Sequence, residues 1–219
     1  MTARCKPLAI DLFAGLGGWA DGLLAEGYDV IGFDIERHKY GEHQYPAQLV
    51  IQDVLTLHGS QFKDAALIVA SPPCQEYSYM AMPWKLAKAK AAAIRADTTG
   101  ESLERLNRLF NACFRIQDEA SLAAGRHIPM IVENVRGAQP WVGRSRANVG
   151  SFHFWGDVPA LMPRLDARKG FNGFKGFKDF VDCEAARKWS SRDPRRKQWS
   201  AEIAKIPEPL SRHIGATFR

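Results

Sequence analysis

The sequence predicts an α/β protein: a mostly parallel sheet with helices on both faces. Two observations predict this class. Short apolar runs alternate with segments of helical pattern, and residues suited to chemistry fall just after the runs. Strands separated by helices pair in parallel, and such sheets hold ligands at the strands' carboxyl ends.

The elements follow in order. Leu8 to Phe13 reads as a first strand, Ala14 to Gly18 as a tight glycine turn, and Trp19 to Glu26 as a helix closed by Gly27. Tyr28 to Phe33 reads as a second strand that stops at Asp34, and Leu49 to Ile51 as a third that stops near Asp53. A fourth, Ala66 to Ala70, runs into Ser71-Pro72-Pro73-Cys74-Gln75-Glu76-Tyr77-Ser78. Residues 79–100 form a long basic segment, with Lys85, Lys88, Lys90 and Arg95 set among alanines. A helix is predicted from Ser102 to Ala124, its inner face carrying Leu103, Leu106, Phe110, Cys113 or Phe114, and Gln117. Pro129 to Val132 reads as a strand ending at Glu133-Asn134-Val135. From Trp199 to Phe218 the pattern is helix, a break at Pro207 and Pro209, and helix again.

Composition sets the bounds. The 219 residues, 46% hydrophobic and 25% charged, suit one globular domain, with a core of useful size and a small appendage. No run approaches the ~18 apolar residues of a membrane helix, and the first residues do not read as a signal peptide. The expectation is a soluble, cytoplasmic protein. Cys5, Cys74, Cys113 and Cys183 lie far apart without a CxxC pair, which argues against a disulfide framework or a zinc site. The formal charge is +6, and residues 164–197 hold eleven Lys/Arg against five acids. A polyanion partner, nucleic acid above all, or a solvated basic face both fit that excess.

Three motifs carry candidate chemistry. In "DLFAGLGG" (Asp11 to Gly18) three glycines let the backbone approach a ligand, and Asp34 after the next strand can accept from ribose hydroxyls. That pairing points to a nucleoside-containing cofactor, the alternative being a tight turn with no ligand. The spacing is not the dinucleotide G-x-G-x-x-G, and no Walker lysine supports ATP hydrolysis. Cys74, behind two prolines and before polar Gln75, Glu76 and Ser78, reads as a packed thiol, a redox group or a nucleophile. Glu133 ends an apolar strand, where a carboxylate needs a partner or a task.

Taken in order, "DLFAGLGG", "SPPCQ" and "IVENVRG" resemble the DNA (cytosine-5) methyltransferase family, from Leu8 to Arg146 and again near Ile203. The resemblance implies a Rossmann-like S-adenosylmethionine-dependent methyltransferase fold. It implies a mechanism in which Cys74 adds to carbon 6 of a flipped-out or unpaired cytosine, Glu133 stabilises ring nitrogen 3, and no metal takes part. Phe13, Ala14, Gly15, Leu16, Gly17, Gly18 and Pro73 would line the cofactor site. Asp34 would hold the ribose, Ile35 would pack on adenine, and Asp53 would meet the adenine amino group with Val54 beside it. "VGRSR" (Val142 to Arg146) resembles the family's Gln-x-Arg-x-Arg motif, with Val142 in place of Gln, and makes Arg146 and its partner Arg144 candidates for the cytosine oxygen. "IPEPLSRHIG" (Ile206 to Gly215) resembles the motif that returns to complete the cofactor pocket, with Ile203-Ala204 where the family has Gly-Asn.

Two intervals depart from the family. Cys74 and Glu133 are 59 residues apart (133 − 74), the excess lying in the basic 80–99 segment, expected to be the loop that closes over nucleic acid. Arg146 and Ile206 are only 60 apart (206 − 146), too few for a full target-recognition domain. The expected division is therefore a catalytic domain (1–150), a small basic and aromatic contact region (151–200) and a returning C-terminal helix (201–219). Gln75, Ser78, Lys85, Lys88, Lys175, Lys178, Arg195 and Arg196 are the expected nucleic-acid contacts. The Phe/Gly/Lys repeat at 171–180 can stack on bases and hold phosphates. The expectation is a monomer acting on double-stranded DNA, with short or relaxed specificity carried by the catalytic loop and residues 165–200, as suits restriction-modification or a phage in its bacterial host. An RNA-modifying relative and a DNA-binding relative without catalysis are the rivals.

Overall fold

The computed structural model describes residues 5–78, 84–165 and 193–219. Lys175, Lys178 and the 171–180 repeat lie outside the described residues, as does the side chain of Arg196.

Apart from one short polar hairpin, strands form where apolar residues run together. They are β1 (Leu8–Leu12), β2 (Asp29–Asp34), the short hairpin β3 (Lys39–Tyr40) and β4 (His43–Gln44), β5 (Gln48–Ile51), β6 (Leu67–Ala70), β7 (Met130–Asn134), β8 (Ala147–Val149) and β9 (Phe152–Gly156). Seven of them make one sheet in the order β5-β2-β1-β6-β7-β9-β8, with the hairpin separate. From β5 to β7 every pairing is parallel; β9 runs antiparallel to β7, and β8 to β9. The carboxyl ends of five strands therefore share one edge, which is the expected arrangement. The antiparallel pair adds to it, and carries the sheet past residue 150 to Gly156.

The sheet has two buried faces. Ile10, Leu12, Ile68, Ala70, Met130 and Val132 meet Phe110, Ile116 and Ala120 of helix α3 (Glu101–Ala124) on one face. Ala9, Leu67, Val69, Ile131 and Phe154 meet Trp19 and Leu23 of α1 (Gly18–Ala25) and the C-terminal helix on the other. Neighbours along each strand go to opposite faces, as a period of two requires. All four residues of β6 are buried, which is why it reads as a continuous apolar run. Burying each large aliphatic side chain contributes about 1.5–3 kcal/mol.

The remaining helices are α2 (Trp84–Ala96), α4 (Gln139–Val142), α5 (Pro194–Ala204) and α6 (Glu208–Thr217). α6 returns to α1. The Ser211 hydroxyl donates to Trp19 O, Tyr28 Oη donates to Gly215 O at 3.0 Å, and a Cβ on Gly22 would lie 2.5 Å from Arg212 N. The two helices touch closely only because position 22 has no side chain.

Two expectations are corrected. Residues 84–96 of the expected closing loop form a 13-residue helix, in keeping with the helix propensity of Ala, Lys and Leu. On α3, Leu103 is 39% exposed and Asn107 takes a buried place among Phe110, Cys113 and Gln117. The amide is drawn inward by partners described below.

Candidate active site

The glycine turn begins the site. Phe13 has φ 60°, Gly15 φ 52° and Gly17 φ 78°, so the chain reverses through left-handed conformations right after β1. Gly15 N donates to Asp34 Oδ2 at 2.9 Å, and Glu36 N to Asp34 Oδ1 at 3.2 Å. His38 Nε2 lies 3.6 Å from the same Oδ1. Burial opposes ionisation of Asp34, but His38 and the two amides outweigh it and hold its carboxyl below the usual range. Asp34 in turn raises the His38 pKa against its partial burial. Next along the edge, Asp53 Oδ1 accepts from Leu55 N at 2.9 Å and caps a short 3-10 turn in which Val54 is buried. Ile35, by contrast, is 69% exposed beside these carboxylates.

Asp11, not among the expected site residues, is fully buried at the foot of this turn. Tyr45 Oη donates to its Oδ2 at 3.1 Å, while Oδ1 has no hydrogen-bond partner among the described residues. Burial pushes its carboxyl well above the usual range, Tyr45 acts against that, and Asp34 and Asp21 add to it. Tyr45 reaches in because Gly32, next to Asp11 in the sheet, has no side chain; a Cβ there would lie 2.4 Å from Tyr45 Cζ.

A nucleoside-bearing cofactor fits these residues. Asp34 and Asp53 keep spare lone pairs for hydroxyl and amino donors, Ile35 offers an apolar surface, and Asp11 has an unused buried oxygen. A Cβ on Gly15 would meet only Phe13 O at 4.0 Å, so the turn is open at that point. Ala14 and Leu16 are themselves buried, and Gly17 and Gly18 are closed in by Pro46 and Ile206.

The second half of the edge carries Cys74. Trp19 Nε1 donates to Ser71 Oγ at 2.9 Å, tying the end of β6 to α1. Asn134 Nδ2 donates to Pro72 O at 2.9 Å, tying it to the end of β7. Cys74 O then accepts from Tyr77 N (3.0 Å) and Ser78 N (2.9 Å), so residues 74–78 form one helical turn with Cys74 half-buried. Pro73, Gln75 and Glu76 are exposed and Ser78 is half-buried. Tyr77 points inward and its hydroxyl meets Asn107 Oδ1 at 3.0 Å.

Glu133 is 2% exposed in β7, next to Asn134 and paired with Phe154 of β9. Phe154 also pairs with Ala147 and accepts from Arg146 N at 2.8 Å, so Arg146 lies two strands from Glu133. Arg144 and Arg146 are exposed. The residues between and around them are fixed: Ser145 Oγ lies 3.0 Å from His153 Nδ1, Ser145 N donates to Gln139 Oε1 at 3.3 Å, and Trp155 Nε1 donates to Gly143 O at 3.0 Å.

The expected nucleic-acid contacts divide. Lys85 and Lys88 are exposed on α2, which docks beside the Cys74 turn through an ion pair of Lys90 with Glu76 and through Arg95, 5.2 Å from the Trp141 ring centre. Arg195 instead grips Asp193, the cap of its own helix, at 3.1 and 2.8 Å. Among the described residues, no group of three His, Cys, Asp or Glu could hold a metal, and no helix is long and apolar enough to cross a membrane.

Sequence reasoning missed Asp11, Trp19, Tyr45, Tyr77, Asn107 and Asn134 as builders of the site. The signal was weak: each one's partner lies far away in the chain.

The fold is thus Rossmann-like, with its polar residues gathered at the carboxyl edge. Over residues 8–94 the chain matches the family model of C-5 cytosine-specific DNA methylases. The matched span holds the glycine turn, Asp34, Asp53 and Cys74; Glu133, Arg144 and Arg146 lie beyond it. No curated protein matches the chain. Among solved structures, one described as a candidate DNA modification methyltransferase encoded within an E. coli prophage is 24% identical, covering 61% of this chain and 33% of that one, with a TM-score of 0.40. The S. pombe Dnmt2 methyltransferase is 15% identical over 63% of this chain and 37% of its own (TM-score 0.37). The Entamoeba histolytica methyltransferase EhMeth is 14% identical over 82% and 61% (TM-score 0.40). The chain spans less than two thirds of the length of each.

Proposed function

We propose that the protein transfers a methyl group from S-adenosylmethionine to carbon 5 of cytosine in DNA, through a covalent bond between Cys74 and carbon 6 of the base. One observation carries this reading. The Cys74 turn is bonded both to the strand end that holds buried Glu133, through Asn134 and Pro72, and to the helix leaving the glycine turn, through Trp19 and Ser71.

The chemistry follows from these groups. Carbon 5 of cytosine is a weak nucleophile. Addition of the Cys74 thiolate to carbon 6 forms a C–S bond and moves an electron pair into the ring, toward nitrogen 3 and carbon 5. Glu133, shielded from water, holds a proton at nitrogen 3 and so stabilises that charge. When bound, S-adenosylmethionine supplies an electrophilic methyl group. Once carbon 5 carries the methyl group, its proton leaves to a base, the C–S bond breaks and the aromatic ring is restored. Arg146, with Arg144, holds the cytosine oxygen. Asp34 holds the ribose, Asp53 the adenine amino group, and Ile35 covers the adenine face.

The target base lies outside the duplex stack during this reaction. Gln75, Ser78, Lys85 and Lys88 hold the backbone around it, because they surround the Cys74 turn or stand on the helix docked beside it. With little chain between Arg146 and Ile206 for target recognition, specificity is short or relaxed. The test is labelled methyl transfer to cytosine-containing duplex DNA and to tRNA, followed by base-resolution mapping. Label in DNA at many sequence contexts is the expected result. Label in tRNA alone, or confinement to one long defined motif, overturns the substrate or the specificity respectively.

A further inference from the structure

We propose that Asn107 and Tyr77 are positioning residues for this reaction, holding the Cys74 turn and the Arg144–Arg146 segment in one register. The proposal rests on the function above and adds residues that no motif names.

Asn107 lies on the buried face of a 24-residue helix, in company with Phe110, Cys113 and Ile116. A buried amide is costly there unless its groups are paired. Both ends are used, and they go to different places. Nδ2 donates to Trp141 O at 2.9 Å, at the end of α4 and three residues before Arg144. Oδ1 lies 3.0 Å from the hydroxyl of Tyr77, three residues after Cys74. Because Trp141 O needs a donor, the amide orientation is fixed and Tyr77 must donate its one proton, shared with Leu106 O at 3.2 Å.

α3 is thus a rigid ruler between the nucleophile and the segment that carries the two arginines. Neighbouring contacts act at the same junction: Arg95 lies over the Trp141 ring, and Trp155 holds Gly143 O. Neither Asn107 nor Tyr77 is a catalytic residue, since each acts through the turn or segment that it holds. A displacement of about 1 Å at reacting groups can cost on the order of 100-fold in rate, so two hydrogen bonds in this place have leverage beyond their own strength.

Tyr77→Phe removes only the hydroxyl and keeps the buried ring; Asn107→Ala removes both tethers. The experiment measures kcat and KM on a cytosine-containing duplex. It also measures iodoacetamide alkylation of Cys74 in the free protein, read peptide by peptide with Cys5 as the control. The expected result is a kcat lower by about tenfold or more, a duplex KM within about twofold, and faster Cys74 alkylation as the turn loosens. The double variant should be no worse than Asn107→Ala alone, because both changes break the same link. Folded Tyr77→Phe with kcat and Cys74 alkylation like those of the unaltered protein overturns the proposal. If the unaltered protein methylates no cytosine, the functional reading fails instead, and the alkylation rates still decide whether the tether holds Cys74.

Discussion

The two halves of the sheet edge are built in different ways. On the β5-β2-β1 side, the two carboxylates at the strand ends are held by backbone amides: Asp34 by Gly15 and Glu36, Asp53 by Leu55. On the β6-β7-β9 side, the segments that carry the proposed reacting groups are held by side chains from remote positions. Trp19 reaches Ser71 across 52 positions, Asn134 reaches Pro72 across 62, and Asn107 reaches Trp141 across 34. The first half depends on glycines and local turns, and the second on how the whole core places its side chains. Damage to the core should therefore disturb the reacting half before the cofactor half.

The largest expected effect separates the halves completely. Cys74→Ser should abolish methyl transfer while cofactor affinity, measured by calorimetry, stays as it was. A parallel loss of cofactor binding would show that the halves are not separate. Glu133→Gln keeps the shape of the buried side chain and removes its acid–base capacity, so kcat should fall by about 100-fold or more. A loss under about tenfold would leave Glu133 a structural role only.

Smaller effects sharpen the account of the cofactor half. A Cβ on Gly18 would lie 2.3 Å from Ile206 N, a main-chain atom that cannot swing aside. Gly18→Ala should cost about 1–3 kcal/mol of stability in denaturant unfolding, with the contact between α1 and the 205–207 linker giving way. Unchanged stability would mean that this contact is dispensable. The smallest effect concerns His38 and Asp34. Because the folded-state pKa of His38 is raised above 6.5, its stabilising contribution is complete below that value and fades as pH rises through the higher folded value. On the acid side it fades as pH falls through the lowered pKa of Asp34. His38→Gln should therefore be less stable by less than about 1 kcal/mol in mildly acid solution, and the difference should vanish in alkali. Thermal unfolding of both proteins across pH checks it; a difference that grows with pH contradicts it.

The same contrast explains what the sequence made readable. Strand ends followed by Gly15, Asp34, Asp53 and Cys74 could be read because each motif is local and its spacing follows the parallel sheet. Phe152 to Trp155 gave no alternation, since all four residues are buried, and so β9 and its antiparallel pairing were not anticipated. Helix α2 reads as a loop in the sequence because its charges hide a narrow inner stripe of Ala87 and Ala91. No local pattern shows that Asp193 holds Arg195, an exposed arginine expected to meet nucleic acid. Asp11 opens the glycine motif, yet its burial and its bond to Tyr45 exist only once β1, β2 and the segment after β4 have come together. Partners far apart in the chain leave no mark on local pattern.

The central claim is a thiol–carbon bond at Cys74 during methylation of carbon 5. Its most direct test is a duplex in which the target cytosine carries fluorine at carbon 5, incubated with S-adenosylmethionine. Fluorine cannot leave as a proton does, so the adduct should persist, and peptide mass spectrometry should place the modified base on Cys74. Methylation of a cytosine or adenine amino nitrogen in ordinary DNA, with no adduct on Cys74 in the fluorinated duplex, would contradict the account.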